Sequence, residues 1–124
     1  MNQTQTLKQQ IVSADTRRDA CNRHLLKCVP ERDAADVKLD YVIHANNVAL
    51  DHIRDDAEEG DDISELLASS YAVMKAEEDV LKASLSRLVH RAEAAITTLR
   101  DSERGLTVAR QKYHRHTAGL GSRR

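Results

Sequence analysis

Apolar and small residues recur through the first half of the chain in alternating steps of four and three: Leu7, Ile11, Ala14, Cys21, Leu25, Cys28. The same frame resumes beyond Pro30 as Ala35, Leu39, Val42, Asn46, Ala49 and Ile53. A repeat of about 3.5 residues is the mark of a coiled-coil seam, and it predicts one helical arm over about 7–57. Thr6 followed by Gln9 reads as a capping box at its start. Pro30 removes one backbone hydrogen bond, at a cost of ~3 kcal/mol. Because the frame runs across it without a slip, the arm is expected to kink there, with a break into two helices as the alternative.

The pattern stops at 54–62, RDDAEEGDD, which has no apolar seam. Gly60 can take the left-handed conformation that ends a helix, so a turn is expected over 58–62 near Gly60. Asp62 followed by Glu65 then reads as a new N-cap with an acid in the first turn. The second arm, expected over about 63–115, carries Leu67, Tyr71, Met74, Leu81, Leu85, Leu88, Ala92, Ala95, Leu99, Leu106, Ala109 and Tyr113. Gly105 is its weak point, and a flexible tail is expected over 116–124.

A fold at Gly60 sets Ile53 opposite Leu67, Ala49 opposite Tyr71 and Leu39 opposite Leu81. Further out, Cys21 meets Leu99 and Leu7 meets Tyr113, so both seams stay in register. The predicted fold class is therefore all-α: a single domain forming a long antiparallel helical hairpin, a two-stranded coiled coil. A three- or four-helix bundle, broken at Pro30 and near Gly105, is the structural alternative.

Composition narrows the function. The 124 residues include no Phe or Trp and only three Tyr, with 31% charged residues. Aromatics supply much of the buried area of compact cores and ligand pockets, so this composition suits a narrow aliphatic seam and not a pocketed enzyme. No stretch approaches the ~18–20 apolar residues of a membrane span. MNQTQTLKQQ lacks the basic start and apolar run of a signal peptide, and a cytoplasmic location is expected. Cys21 and Cys28, two helical turns apart, would have Cα atoms ~10 Å from each other, beyond the ~7 Å that a disulfide tolerates.

The net charge of −1 hides a gradient. Residues 51–62 hold seven acids against Arg54 alone, whereas no acid follows Glu103 and Arg104, Arg110, Lys112, Arg115, Arg123 and Arg124 do. The basic tail offers phosphate contacts, but the near-neutral chain shows no helix-turn-helix and no stacking aromatics. Nucleic acid is therefore a disfavoured partner.

Cys21, His24 and Cys28 share one helix face and are possible metal ligands. Structural zinc takes four ligands, and no second cluster of this kind exists, so seam packing is the favoured role for both cysteines. Asp40 and His44 form a surface pair at i, i+4. Glu77, Glu78 and Asp79 lack the ExxH motif of di-metal bundles. There is no glycine-rich phosphate loop, GxSxG or HExxH. No catalytic residue and no cofactor follows, and the chain reads as a non-enzyme.

The seam's polar members, Arg18, Arg32, Asn46, Glu78 and Ser102, either fix register or loosen the hairpin. A second apolar stripe includes Val37, Ile43, Leu50, Leu66, Val73, Val80 and Val89. Two helices cannot bury both stripes, which implies a homo-oligomer or a protein partner. These residues, with Arg110, Lys112 and Arg115 at the basic end, are the candidate partner-binding set. A small helical-bundle regulator, binding metal at Cys21, His24 and Cys28 or nucleic acid through the basic tail, is the alternative.

The first arm's TRRDACNRHLLKC, with arginines among regularly placed small residues, and the closing basic RDSERGLTVARQKYHR complete the picture. A hairpin of two such helices resembles the stalk proteins of type III secretion ATPases, the flagellar FliJ-like and injectisome YscO-like families. That resemblance covers most of the chain and lies in architecture and composition. It implies a cytoplasmic stalk or adaptor set in or beside a hexameric secretion ATPase.

Overall fold

A computed structural model describes residues 2–58 and 61–122, so Gly60, at the expected turn, lies outside the described residues. Two α-helices, α1 (Gln3–Asp56) and α2 (Ser64–Ser122), pack against each other as a helical hairpin, and no strand occurs among the described residues. The chain divides into two compact units, each built from one stretch of both helices. The terminal unit comprises Met1–Val29 and Arg91–Arg124, and the central unit Pro30–His90.

The helix ends show which side chains set the boundaries. α1 begins earlier than the Thr6 capping box predicts. Asn2 is the cap: its Oδ1 accepts the Gln5 N–H at 2.8 Å, and its carbonyl accepts the Thr6 N–H at 3.1 Å. An asparagine oxygen four residues nearer the end satisfies the same orphan donors. At the start of α2, Asp62 Oδ1 accepts the Ser64 N–H at 3.0 Å, while the Ile63 carbonyl takes the first helical bond from Leu67 at 2.9 Å. Glu58 and Asp61 also bond: Asp61 N–H donates to the Glu58 carbonyl, and Glu58 N–H donates to Asp61 Oδ2.

Neither expected weak point ends a helix. Pro30 lies inside α1, which continues through it, and Gly105 lies inside α2. The three- or four-helix alternative is thereby set aside. α2 also runs well past the expected end near 115, to Ser122. Packing holds the added turn: Thr117 Oγ1 donates to the Tyr113 carbonyl at 3.1 Å, and Thr4 Oγ1 bonds His116 Nε2 across the two helices at 2.9 Å.

In the terminal unit Cys28, 1% exposed, and Ala92, 0% exposed, form a tight cluster with Ala95, against which Leu25 packs. Such small residues let two helices approach closely, which is why this stretch has little room for larger side chains. Leu7, Leu106, Ala109 and Ser102 are also buried there. The buried Ser102 hydroxyl satisfies itself by donating to the Leu99 carbonyl at 2.7 Å. In the central unit Leu39 is buried, and Ala35, Val42, Ile53, Leu67, Met74, Leu81, Leu85 and Leu88 are half-buried.

One expected seam residue is not in the seam. Tyr71 is exposed, and Ser70 takes the inward position between Leu67 and Met74. A three-then-four step keeps the repeat and lets the phenol stay in water.

Candidate functional site

The charged and amide residues that interrupt the seam resolve in two ways. Arg18 is half-exposed and turns to its own helix, with Nη2 3.0 Å from Asp15 Oδ1 and 2.9 Å from Asp19 Oδ1. The hydrogen bond to Asp19 raises the guanidinium pKa further above its ordinary value, with the nearby carboxylates adding to the effect. Arg32 similarly reaches Asp33 at 3.1 Å. Both stems lie along the seam while the charges stay wet. Asn46 and Glu78 instead find each other across the helices: Asn46 Nδ2 donates to Glu78 Oε1 at 3.2 Å.

His24 and Cys28 come together, with Nε2 and Sγ 3.5 Å apart. Cys21, half-buried, lines an open groove with His24, Ala20, Arg91, Ala94, Ala95 and Thr98. Both cysteines are free thiols. Among the described residues no three His, Cys, Asp or Glu side chains gather where they could hold a metal ion. The Cys21, His24 and Cys28 trio therefore does not converge, because Cys28 is turned into the cluster of Ala92 and Ala95 while Cys21 faces the groove.

What the helices leave uncovered is apolar surface. In the central unit Val37, Tyr41 (71% exposed) and Val48 lie along the outer side of α1. Spaced at i, i+4 and i+11, they fall on one helix face, opposite the buried Leu39. On α2, Leu66, Val73 (70% exposed) and Val80 recur every seven residues on another exposed face. Ile43, Leu50 and Val89 of the candidate set are half-buried beside the seam. Arg110, Lys112 and Arg115 are exposed on α2 of the terminal unit. Tyr41 is the member that the second-stripe reading left out; its i+4 spacing from Val37 was the signal for it.

Charge divides sharply between the two units. The central unit carries fifteen Asp and Glu against six Lys and Arg, a net charge of −9. The terminal unit carries five acids against thirteen Lys and Arg, a net charge of +8. The exposed apolar residues inherit this division. Val37 has Asp33 and Asp40 at helical-neighbour positions, Val48 has Asp51, and Val73 and Val80 share Glu77. Val108 of the terminal unit is flanked by Arg104 and Lys112, and shares a shallow groove with Arg100, Glu103, Arg104 and Thr107.

No helix among the described residues is long and apolar enough to cross a membrane. Comparison with known proteins adds no relative: no family model, no curated protein and no solved structure matches this chain.

Proposed function

We propose that this chain is a non-catalytic coiled-coil interaction protein that works through its exposed helical faces. One observation carries the reading: a hairpin that already has a seam still presents Val37, Tyr41, Val73 and Val80 to solvent, in lines along two faces. Aligned apolar side chains on a charged helix surface mark a partner contact more often than scattered ones do. Photo-crosslinking residues placed at Val73 and Val80, in cells of the native host, test it. Protein crosslinks at those positions, and not at the exposed Lys82, are expected. Equal yields at all three positions would overturn the reading.

The more specific form of the proposal is a cytoplasmic stalk or adaptor of a type III secretion ATPase. Helical-hairpin architecture and the Arg-rich first and last segments support it. Titration of fluorescently labelled chain into a purified hexameric secretion ATPase is the direct test. Saturable binding that Val73→Glu plus Val80→Glu abolishes, with helicity retained, is the expected result. Absence of binding removes the stalk and leaves the broader interaction reading to the crosslinking result.

A further inference from the structure

We propose that the partner of the exposed apolar faces includes a second copy of this chain. The acidic Val37–Tyr41–Val48 face of each central unit takes the basic Val108 face of the other copy's terminal unit. This rests on the interaction reading above and names one occupant for the surface.

Charge carries the argument. A unit of net −9 and a unit of net +8 belong to the same chain, so each copy holds both halves of a complementary pair. The match extends to single helix faces. Asp33, Asp40 and Asp51 border Val37, Tyr41 and Val48, the first and last also pairing with Arg32 and Arg54 of their own helix, whereas Arg104, which pairs with Asp101, and Lys112 border Val108. Apolar residues would meet at the centre, with opposite charges around the rim, the arrangement that gives an interface both burial and steering. The proposed assembly is a two-fold dimer in which each copy gives one acidic and one basic surface through two equivalent contacts.

Self-repulsion points the same way. Like charges gathered on one unit raise its free energy, and an oppositely charged surface relieves this. The effect is screened where the Debye length shortens, to ~3 Å in 1 M salt from ~10 Å at 0.1 M.

Charge exchange tests the contact. Asp40→Lys plus Asp51→Lys makes the central face basic, and Arg104→Glu plus Lys112→Glu makes the terminal face acidic. Each variant alone meets like charge at both contacts of its own dimer. A mixture of the two meets opposite charge at both, since one contact is wild type and the other is reversed. Sedimentation equilibrium of the 13.9 kDa chain should show a dimer of about twice that mass at low salt. Its dissociation constant should rise ~tenfold or more between about 0.05 and 0.5 M salt. Each variant should sediment as a monomer, and the equimolar mixture should recover the dimer, with far-ultraviolet circular dichroism confirming helicity throughout. A monomeric wild type at every salt concentration overturns the proposal. So does a dimer that the single variants keep, or a mixture that fails to recover it. Crosslinks at Val73 and Val80 to a different protein would still stand in those cases, so the two readings fail separately.

Discussion

Asp62 gives the start of α2 a pH dependence whose sign can be worked out. Its carboxylate accepts the Ser64 N–H, and that bond, chiefly, lowers its pKa below the ordinary value. A depressed folded-state pKa means stability that is present above the unfolded value of ~3.9 and lost as pH falls through the folded value. Asp62→Ala should therefore lower the melting temperature at neutral pH. The gap from wild type should narrow as melts are repeated at progressively lower pH, below the ordinary carboxylate range. A gap that stays constant with pH would show that the carboxylate's charge plays no part. Gly105 offers a change of opposite sign. It lies within α2, and a Cβ built there meets nothing within 4 Å. Gly105→Ala should raise stability by ~1 kcal/mol in urea unfolding, because alanine loses less backbone entropy in a helix. A loss of stability would mean that this glycine is needed for a close approach.

At the scale of the elements, close packing and polar pairing make distinct demands. Ala92→Leu forces a large side chain into the cluster of Cys28, Ala95 and Leu25 and should cost ~1–3 kcal/mol. Ala94→Leu, two residues on and exposed, should cost little. Equal effects would mean that the small-residue cluster is loosely packed. Asn46 and Glu78 form a coupled pair, so a double-mutant cycle to alanine should return an interaction energy of ~0.5–1.5 kcal/mol. The seam itself was readable because a 3.5-residue repeat needs only residue type, and the described seam follows it from Leu7 to Tyr113 with Tyr71 as the exposed exception. The Asn46–Glu78 bond was not. The expected register puts Met74 opposite Asn46, and long polar side chains reach one turn further to Glu78. The candidate surface was readable in part for a related reason. Ile43, Leu50 and Val89 each follow a seam residue and are half-buried, whereas Leu66, Val73 and Val80 each precede one and are exposed. Periodicity defines both flanks of a seam, but only packing decides which flank the other helix covers.

Across the whole molecule, burial predicts which unit opens first. Of the buried apolar side chains among the described residues, Leu39 alone belongs to the central unit; Leu7, Cys28, Ala92, Ala95, Leu106 and Ala109 belong to the terminal one. Self-repulsion is similar in the two units, net −9 in the central and net +8 in the terminal one, so burial decides between them. Less burial lowers the free energy of local opening, and continuous helices do not prevent one segment from exchanging through its own partial unfolding. Amide hydrogen exchange at protein concentrations below self-association should therefore be faster over 30–90 than over 3–29 and 91–122. Added salt screens the repulsion within both units, so it should slow exchange in each while leaving their order unchanged. The helices would then be stably closed where the small residues interlock and more readily opened where few apolar side chains are buried. That division suits a protein whose less buried unit is completed by what it binds. Uniform exchange, or a terminal unit that opens first, would place the marginal contacts elsewhere and remove the link between low burial and the interaction surface.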